Sequence, residues 1–513
     1  MPTIMKILRN EYYDSVTLMS LTAELKSQSG AEQVVVLMGT DMNKDMLKDL
    51  GFDMVELQDV SAHDCVIGVS GEKCDVVLLN HIVHKLQHSS KLALGGKRRV
   101  ASTIKGVLSD FDATIAVIST PGQYAAREAE MALRHGLHVM IFSDNVPVAD
   151  EKRLKQMARA HGLLLMGPDC GTAIINGVGL CFANSVRKGT IGLVAASGTG
   201  LQEVSVLIHK YGGGVSQAIG VGGRDLSVEI GGIMMLEGIR ALAEDASTKV
   251  IVLVSKPPAR EVQCEVLDLL SRIEKPVVIC FLDGESPSEL PSGKRFVTTL
   301  EAAAYEALGL AGMRTVLVDE TDTGSQAEIT AVMRQLHPSQ RFIRGLYCGG
   351  TLCAEAVSLA RSSVGPIFSN VSKRKEEKLL NPLTSQGHCF VDLGDDIFTE
   401  GKPHPMIDPS IRLARIVEEA RDPETAVLLL DFVLGYGSHP DPVGVAMPTI
   451  RLAQQVAKLN GGHLAIVGYI CGTALDKQDY NAQHEKLRSL GVITARSNAN
   501  AVQIACQIAL GGG

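Results

Sequence analysis

Short apolar runs alternate with helix-length amphipathic segments along most of the chain. The runs are VVVLMG (34–39), TIAVIS (114–119), HVMIFS (138–143), LLLMG (163–167), IGLVAA (191–196), VIVLVS (250–255), VVICFL (277–282), AVLLLDFV (426–433) and LAIVGYI (464–470). That alternation predicts an α/β fold, with parallel sheets covered by helices. Between the second and third runs, PGQYAAREAEMALRHGL reads as a helix with Pro121 in its first turn. Right-handed crossovers would line up the loops that follow the strands along one sheet edge, where α/β proteins bind ligands.

The pattern also repeats. TIGLVAASGTGLQEVSVLIHKYGGGVSQAIGVGGRD begins near 190 and FIRGLYCGGTLCAEAVSLARSSVGPIFSNV begins at 342; both read strand, Gly/Thr turn, amphipathic helix, glycine. Further on, TKVIVLVSKPP corresponds to TAVLLLDFVLGYG, and KPVVICFLDG to GHLAIVGYICGT. The repeat predicts two similar α/β domains, residues 187–335 and 336–513, behind a first domain of residues 1–186. The polar, basic stretch 361–388 is expected to be a surface loop or an inserted helix.

Composition narrows the function classes. A chain of 513 residues is long for one core and suits three domains. The net charge of −8 leaves no basic footprint for nucleic acid, and 4% aromatic residues with no Trp give no base-stacking platform. Eleven scattered Cys read as reduced thiols. The start, MPTIMKILRNEYYDS, has no apolar signal core, and no apolar run reaches membrane-spanning length. A cytoplasmic protein with no membrane and no nucleic-acid partner is expected.

Two glycine turns carry the chemistry. Ser197-Gly198-Thr199-Gly200 and Cys348-Gly349-Gly350-Thr351 occupy equivalent places in the repeat, each between a strand and a helix. Backbone N–H groups at a helix start point outward with the positive dipole end behind them, and glycine lets an anion approach. An isolated turn of this kind is as readily a plain helix cap. Two at equivalent positions favour a shared phosphate or carboxylate site. Neither turn is a dinucleotide fingerprint, and no G-x-x-x-x-G-K-[ST] occurs anywhere.

Several segments together resemble a known family. GLLLMGPDCGTAIINGVGLCFAN followed by GTIGLVAASGTGLQE resembles the α subunit of succinyl-CoA synthetase, and VISTPGQYAAREAEMALRHGLHVMIFSDNVP is similar to its CoA-binding domain. DSVTLMS, IFSDNV, MGPDCGT, SGTGLQE, GGRDLS, SKPP, CGGTL and GKPHPMIDP resemble the FdrA family over nearly the whole chain. The resemblance implies an N-terminal Rossmann-like, CoA-binding-type domain followed by two flavodoxin-like ligase-type domains. In succinyl-CoA synthetases two helix starts hold a phosphorylated histidine, and the two glycine turns here match those starts.

The departures matter equally. After VVICFLDG the chain continues ESPSELPSGKRFVTTLEAAAYEAL without a histidine, no ATP-grasp domain is present, and VVLMGTDMNKDML lacks a CoA-type glycine loop. The resemblance therefore implies carbamoyl or acyl transfer through an acyl phosphate, as in oxamate carbamoyltransferase-type subunits of purine-ring degradation. The substrates would be carbamoyl or acyl phosphate and a carboxylic acid or amide. CoA remains a candidate ligand, no other cofactor is implied, and other subunits are expected. The alternatives are an ADP-forming acyl-CoA synthetase subunit with a separate ATP-grasp partner, and a non-catalytic scaffold.

Such a transfer needs cations, N–H dipoles and a donor to the carbonyl oxygen. Arg224 in GGRD and Lys256 in SKPP follow strands of the middle domain; Lys402, His404 and Asp408 lie in GKPHPMIDP. His404 is the candidate acid/base or phosphate contact, because an ordinary imidazole titrates near neutrality. Asp225, Asp392, Asp395 and Asp396 could orient cations or cap helices, and no metal is assigned. Cys348 could be activated by a helix start, and Cys170 sits in GPDCGT, but a small buried residue is the plainer reading of both. His84 and His88 have a metal-compatible spacing without a third ligand, which favours a solvated helix face.

Overall fold

The computed structural model describes residues 3–11, 13, 18, 21–22, 25, 31–52, 54–71, 75–92, 103–109, 111–287, 289–313, 324–400 and 402–511. It divides into two units: residues 1–114 with 399–403, and residues 115–398 with 404–513.

The first unit holds strands β1 (Thr3–Leu8), β2 (Gln33–Met38) and β3 (Cys65–Ser70), ordered β1-β3-β2 and antiparallel throughout. This differs from the parallel strand expected for residues 34–39. An apolar run does not reveal its partner's direction, and here alternate residues face opposite sides of the sheet. Val34, Val36 and Met38 pack with Leu79, Ile82 and Leu86 of the helix Val76–Leu92. Val35 and Leu37 pack with Leu47, Phe52 and Leu57 on the other face.

Asp64 ties the end of β1 to the turn before β3. Its carboxylate accepts from the N–H groups of Ser61 and Asn10, both at 2.8 Å, and from Arg9 at 2.9 Å. These donors, Ser61 foremost, hold its pKa below the usual carboxylate range. A carboxylate depressed in the folded state stabilises above its ordinary pKa near 4, and that stabilisation is lost as pH falls through the folded value. Protection of the β1 and β3 amides, taken as exchange relative to the intrinsic rate at each pH, should therefore fall below about pH 4, and Asp64→Asn should largely abolish that acid response.

In the second unit, β4 (Ile115–Ile118), β5 (His138–Ile141) and β6 (Leu165–Met166) form a parallel sheet. The predicted helix between β4 and β5 spans Gly122–Arg134, with Pro121 just outside it as the cap. The hairpin β7 (Thr172–Ile175) and β8 (Val178–Cys181) comes next, then β9 (Lys188–Ala195), β10 (Val215–Gly220), β11 (Val250–Ser255), β12 (Val277–Phe281) and β13 (Lys294–Val297). These build one sheet ordered β13-β12-β11-β9-β10-β7-β8, with the hairpin antiparallel at its edge. The last sheet contains β14 (Phe342–Tyr347), β15 (Ile367–Ser369), β16 (His388–Asp392), β17 (Thr425–Val433), β18 (Ala465–Cys471) and β19 (Ile493–Ala495), ordered β15-β16-β14-β17-β18-β19 and wholly parallel.

The two large sheets share one topology. Taken in chain order, β10-β9-β11-β12-β13 and β16-β14-β17-β18-β19 are both the flavodoxin-like order 2-1-3-4-5. The strand after which the order reverses is β9 in one and β14 in the other, and a glycine turn follows each. Stretch 361–388 finishes a helix at Val364, adds the edge strand β15, and then makes a 3₁₀ turn at Lys375–Glu377. Buried Glu377 pins that turn to Arg361 at 2.7 Å, leaving Lys373, Arg374 and Lys375 exposed.

The halves meet along the helices that follow the two turns, Gly198–Lys210 and Gly350–Val364. Each carries a buried glutamate at its sixth position, Glu203 and Glu355. Asn498 joins them: its N–H donates to Glu203 at 3.2 Å and its side-chain amide to Glu355 at 2.8 Å. Burial pushes Glu203 up to about 7 and Glu355 up to about 8.

Candidate anion site

Strand β9 is buried from Ile191 to Ala195, and Ser197 then caps the Gly198 helix by accepting from the Gly200 N–H at 3.0 Å. Strand β14 likewise delivers the Gly350 helix, but its cap residue Gly349 has no side chain to bond with. Asp431 of β17 supplies the missing acceptor. Its two oxygens take the N–H groups of Cys348 (2.8 Å) and Gly349 (2.9 Å), and Arg412 pairs with it at 3.2 Å. Both members of that ion pair are buried.

The helix starts touch. Ser197 Oγ and Thr351 Oγ1 are 2.6 Å apart, and the Thr351 N–H donates to Thr199 Oγ1 at 3.2 Å. The eight turn residues expected to bind phosphate therefore do not serve alike. Gly200, Cys348, Gly349 and Thr351 spend their N–H groups inside the protein. Among the described residues, the N–H groups of Ser197, Gly198, Thr199 and Gly350 meet no protein acceptor. Thr172, in the β7–β8 hairpin, is 1% exposed with its hydroxyl unpartnered. That oxygen lies 3.7 Å from where a Cβ on Gly198 would sit. These N–H groups and a buried hydroxyl without an acceptor describe a place for an anion's oxygens.

His404 stands on the second side. A Cβ on Gly394 would fall 2.5 Å from His404 Nε2, 3.0 Å from the Cys348 carbonyl oxygen and 3.2 Å from Asp392 Oδ1. Its ring lies 5.8 Å from that of Phe182, which follows the hairpin. Burial lowers its pKa to about 4, and its Nδ1 accepts from the Met406 N–H at 3.2 Å. The neutral ring therefore carries its proton on Nε2 and offers a donor at neutral pH. This corrects the expectation of an acid/base titrating near pH 7.

The other expected cations are placed differently. Lys256 is exposed at the end of β11, and its charge acts on Asp392. Arg224 turns away to Glu151 (2.9 Å) and the Val146 carbonyl (2.8 Å), so it anchors the helix Val148–Ala160 rather than the turns. Asp225 is buried against Lys155 at 2.8 Å, a structural ion pair. Lys402 belongs to the first unit. Burial pushes the Cys348 and Cys170 thiols up, which makes them protonated core residues rather than nucleophiles. The side chain of His88 lies outside the described residues.

Comparison with known proteins places this geometry. The chain is 47% identical over 493 residues to YahF of Escherichia coli (strain K12), an uncharacterized protein, covering 96% of this chain and 95% of that one. The chain belongs to the YahF family. Within this YahF-family chain, residues 186–282 match the CoA binding domain and residues 346–508 match CoA-ligase. Subunit alpha 2 of the ADP-forming succinate–CoA ligase of Archaeoglobus fulgidus is 28% identical over 183 residues. That match covers 35% of this chain and 62% of the subunit's length. A solved dinucleotide-forming acetyl-coenzyme A synthetase of Ca. Korarchaeum cryptofilum is similar at 14% identity and a TM-score of 0.30, the match covering 80% of this chain and 85% of that one. The two family matches and the likeness to the succinate–CoA ligase subunit make the YahF-family chain a CoA-ligase-like α/β protein.

Residues 1–98 match the AllF heavy metal-associated domain. The described residues there do not fit a metal: Cys65 is buried in the central strand with its thiol pushed up to about 12, and no group of three ligands is present among them. No helix among the described residues is long and apolar enough to cross a membrane.

Asp431, Arg412 and Thr172 escape a reading of the sequence. One signal was present for the first: an aspartate inside LLLDFV, a strand whose nine residues are all buried, has to meet donors.

Proposed function

We propose that this YahF-family protein is an FdrA-type subunit that transfers a carbamoyl or other acyl group through an acyl phosphate, as oxamate carbamoyltransferase-type subunits do. The observation that carries the reading is the set of unpartnered donors, Gly198, Thr199, Gly350 and Thr172, around two touching helix starts. Their N–H dipoles and hydroxyl suit the phosphoryl oxygens, Lys256 adds a cation, and His404 Nε2–H suits the carbonyl oxygen as charge develops there. The likeness to CoA ligases supports the second reading, an acyl-CoA synthetase subunit that borrows its nucleotide domain. Either reading makes room for further subunits and takes small-molecule substrates.

Calorimetry with inorganic phosphate, carbamoyl phosphate and CoA separates the readings. Binding of the two phosphates, competitive with each other, is the expected result. Tight CoA binding with no response to phosphate would favour the ligase reading, and heat from none of the three would favour a scaffold.

A further inference from the structure

Asp392 closes β16 beside the anion site, and its placement is over-determined. Its N–H donates to Asn370 Oδ1 and its carbonyl accepts from Asn370 Nδ2, both at 2.9 Å. The Gly394 N–H fixes Oδ1 at 2.9 Å. Oδ2 is left over: among the described residues it accepts no hydrogen bond, although Asp392 is 8% exposed. It points at the start of the Gly350 helix, 2.5 Å from where a Cβ on Gly350 would sit, so that only glycine leaves it room. A carboxylate with one oxygen pinned and the other open beside a site for phosphate repels the ligand when ionised and bonds to it when protonated.

We propose that Asp392 is the proton-transfer residue of this site, carrying the proton between the attacking nitrogen of the acceptor and the departing phosphate. The proposal rests on the acyl-phosphate reading. In the transfer direction the acceptor's nitrogen lone pair forms the C–N bond as the C–O bond to phosphate breaks. The proton leaves nitrogen for Asp392 Oδ2 and passes to the phosphate, which departs as hydrogen phosphate, and the carboxylate is restored. In reverse, the phosphate oxygen attacks carbon and Asp392 returns the proton to nitrogen. Burial, the leading cause, holds the carboxyl near neutrality, at about 7. The groups around it are the Gly394 N–H and Lys256, which favour ionisation, and Asp395 and Asp431, which oppose it. Neutral His404 and the protonated thiols of Cys348 and Cys353 also face it.

Sulfate keeps its double charge across the pH range, so it reports the site's own titration. Its affinity for the unaltered protein should fall about 10-fold between pH 5.5 and 8.5 as Asp392 ionises. Asp392→Asn should flatten that fall, tighten phosphate at pH 8.5 by about 10-fold, and lower phosphate release from carbamoyl phosphate in the presence of oxamate by roughly 10²-fold or more. A merely structural role would instead weaken binding and turnover together. Sulfate affinity independent of pH in the unaltered protein would overturn the proposal without needing the variant to fold. So would Asp392→Asn binding phosphate no better while remaining as stable. If the unaltered protein binds neither phosphate nor sulfate, the acyl-phosphate reading itself fails, and that outcome is distinct from the other two.

Discussion

Asp431→Ala should cost this protein roughly 3–5 kcal/mol of stability, among the largest losses available from one side chain outside the apolar core. The carboxylate satisfies the N–H groups of Cys348 and Gly349 and neutralises Arg412, whose guanidinium also donates to the Asp431 carbonyl. Truncation strands a buried charge and two donors at once. Asp431→Asn keeps the shape but leaves Arg412 uncompensated, so it should fall between alanine and the parent. Denaturant unfolding followed by circular dichroism measures both. A loss under about 1 kcal/mol for the alanine variant would show that water or a neighbour replaces the carboxylate, against the role assigned here. The same change should disorder the Gly350 turn and weaken phosphate binding even where the fold survives.

Thr199→Pro should weaken phosphate binding roughly 10- to 150-fold, the equivalent of one hydrogen bond to a charged group at about 1.5–3 kcal/mol. Proline removes the Thr199 N–H, one of those without a protein acceptor, and is tolerated in a helix's first turn. It also removes the hydroxyl that accepts from Thr351, so Thr199→Ala, which keeps the N–H, is the paired comparison. Alanine should lose clearly less. Ser185→Ala, whose residue bonds through its backbone to Asp476 and Thr473, should change nothing. Equal affinities for the proline, alanine and Ser185 variants would mean that the turn is only a helix cap.

Much of this architecture is legible before any coordinates. The repeat aligns β9 with β14, β11 with β17 and β12 with β18, because each half must place the same strand, turn and helix in the same order. What the chain does not advertise is adjacency across the sheet. Asp431 and Asp392 reach the Gly350 turn because β17 and β16 flank β14, and a strand order of that kind is invisible to local periodicity. The antiparallel sheet of the first unit is hidden for a similar reason. Asn176-Gly177, flanked by apolar residues, is a strong short hairpin signal, and both residues have positive φ. A reading tuned to parallel strands passes over it, and with it the position of Thr172. His404 is conspicuous between two prolines, yet its protonation state depends on packing that no motif encodes.

The contact between the helix starts has a consequence for how the site behaves in solution. A site shared by two chains dissolves on dilution, since each half must find the other at its own concentration. Here Ser197 and Thr351 lie in one polypeptide 154 positions apart, so the two halves of the site are delivered together and stay together. Anion affinity should then be the same at nanomolar and micromolar protein, and any partner subunit would come to a site already formed.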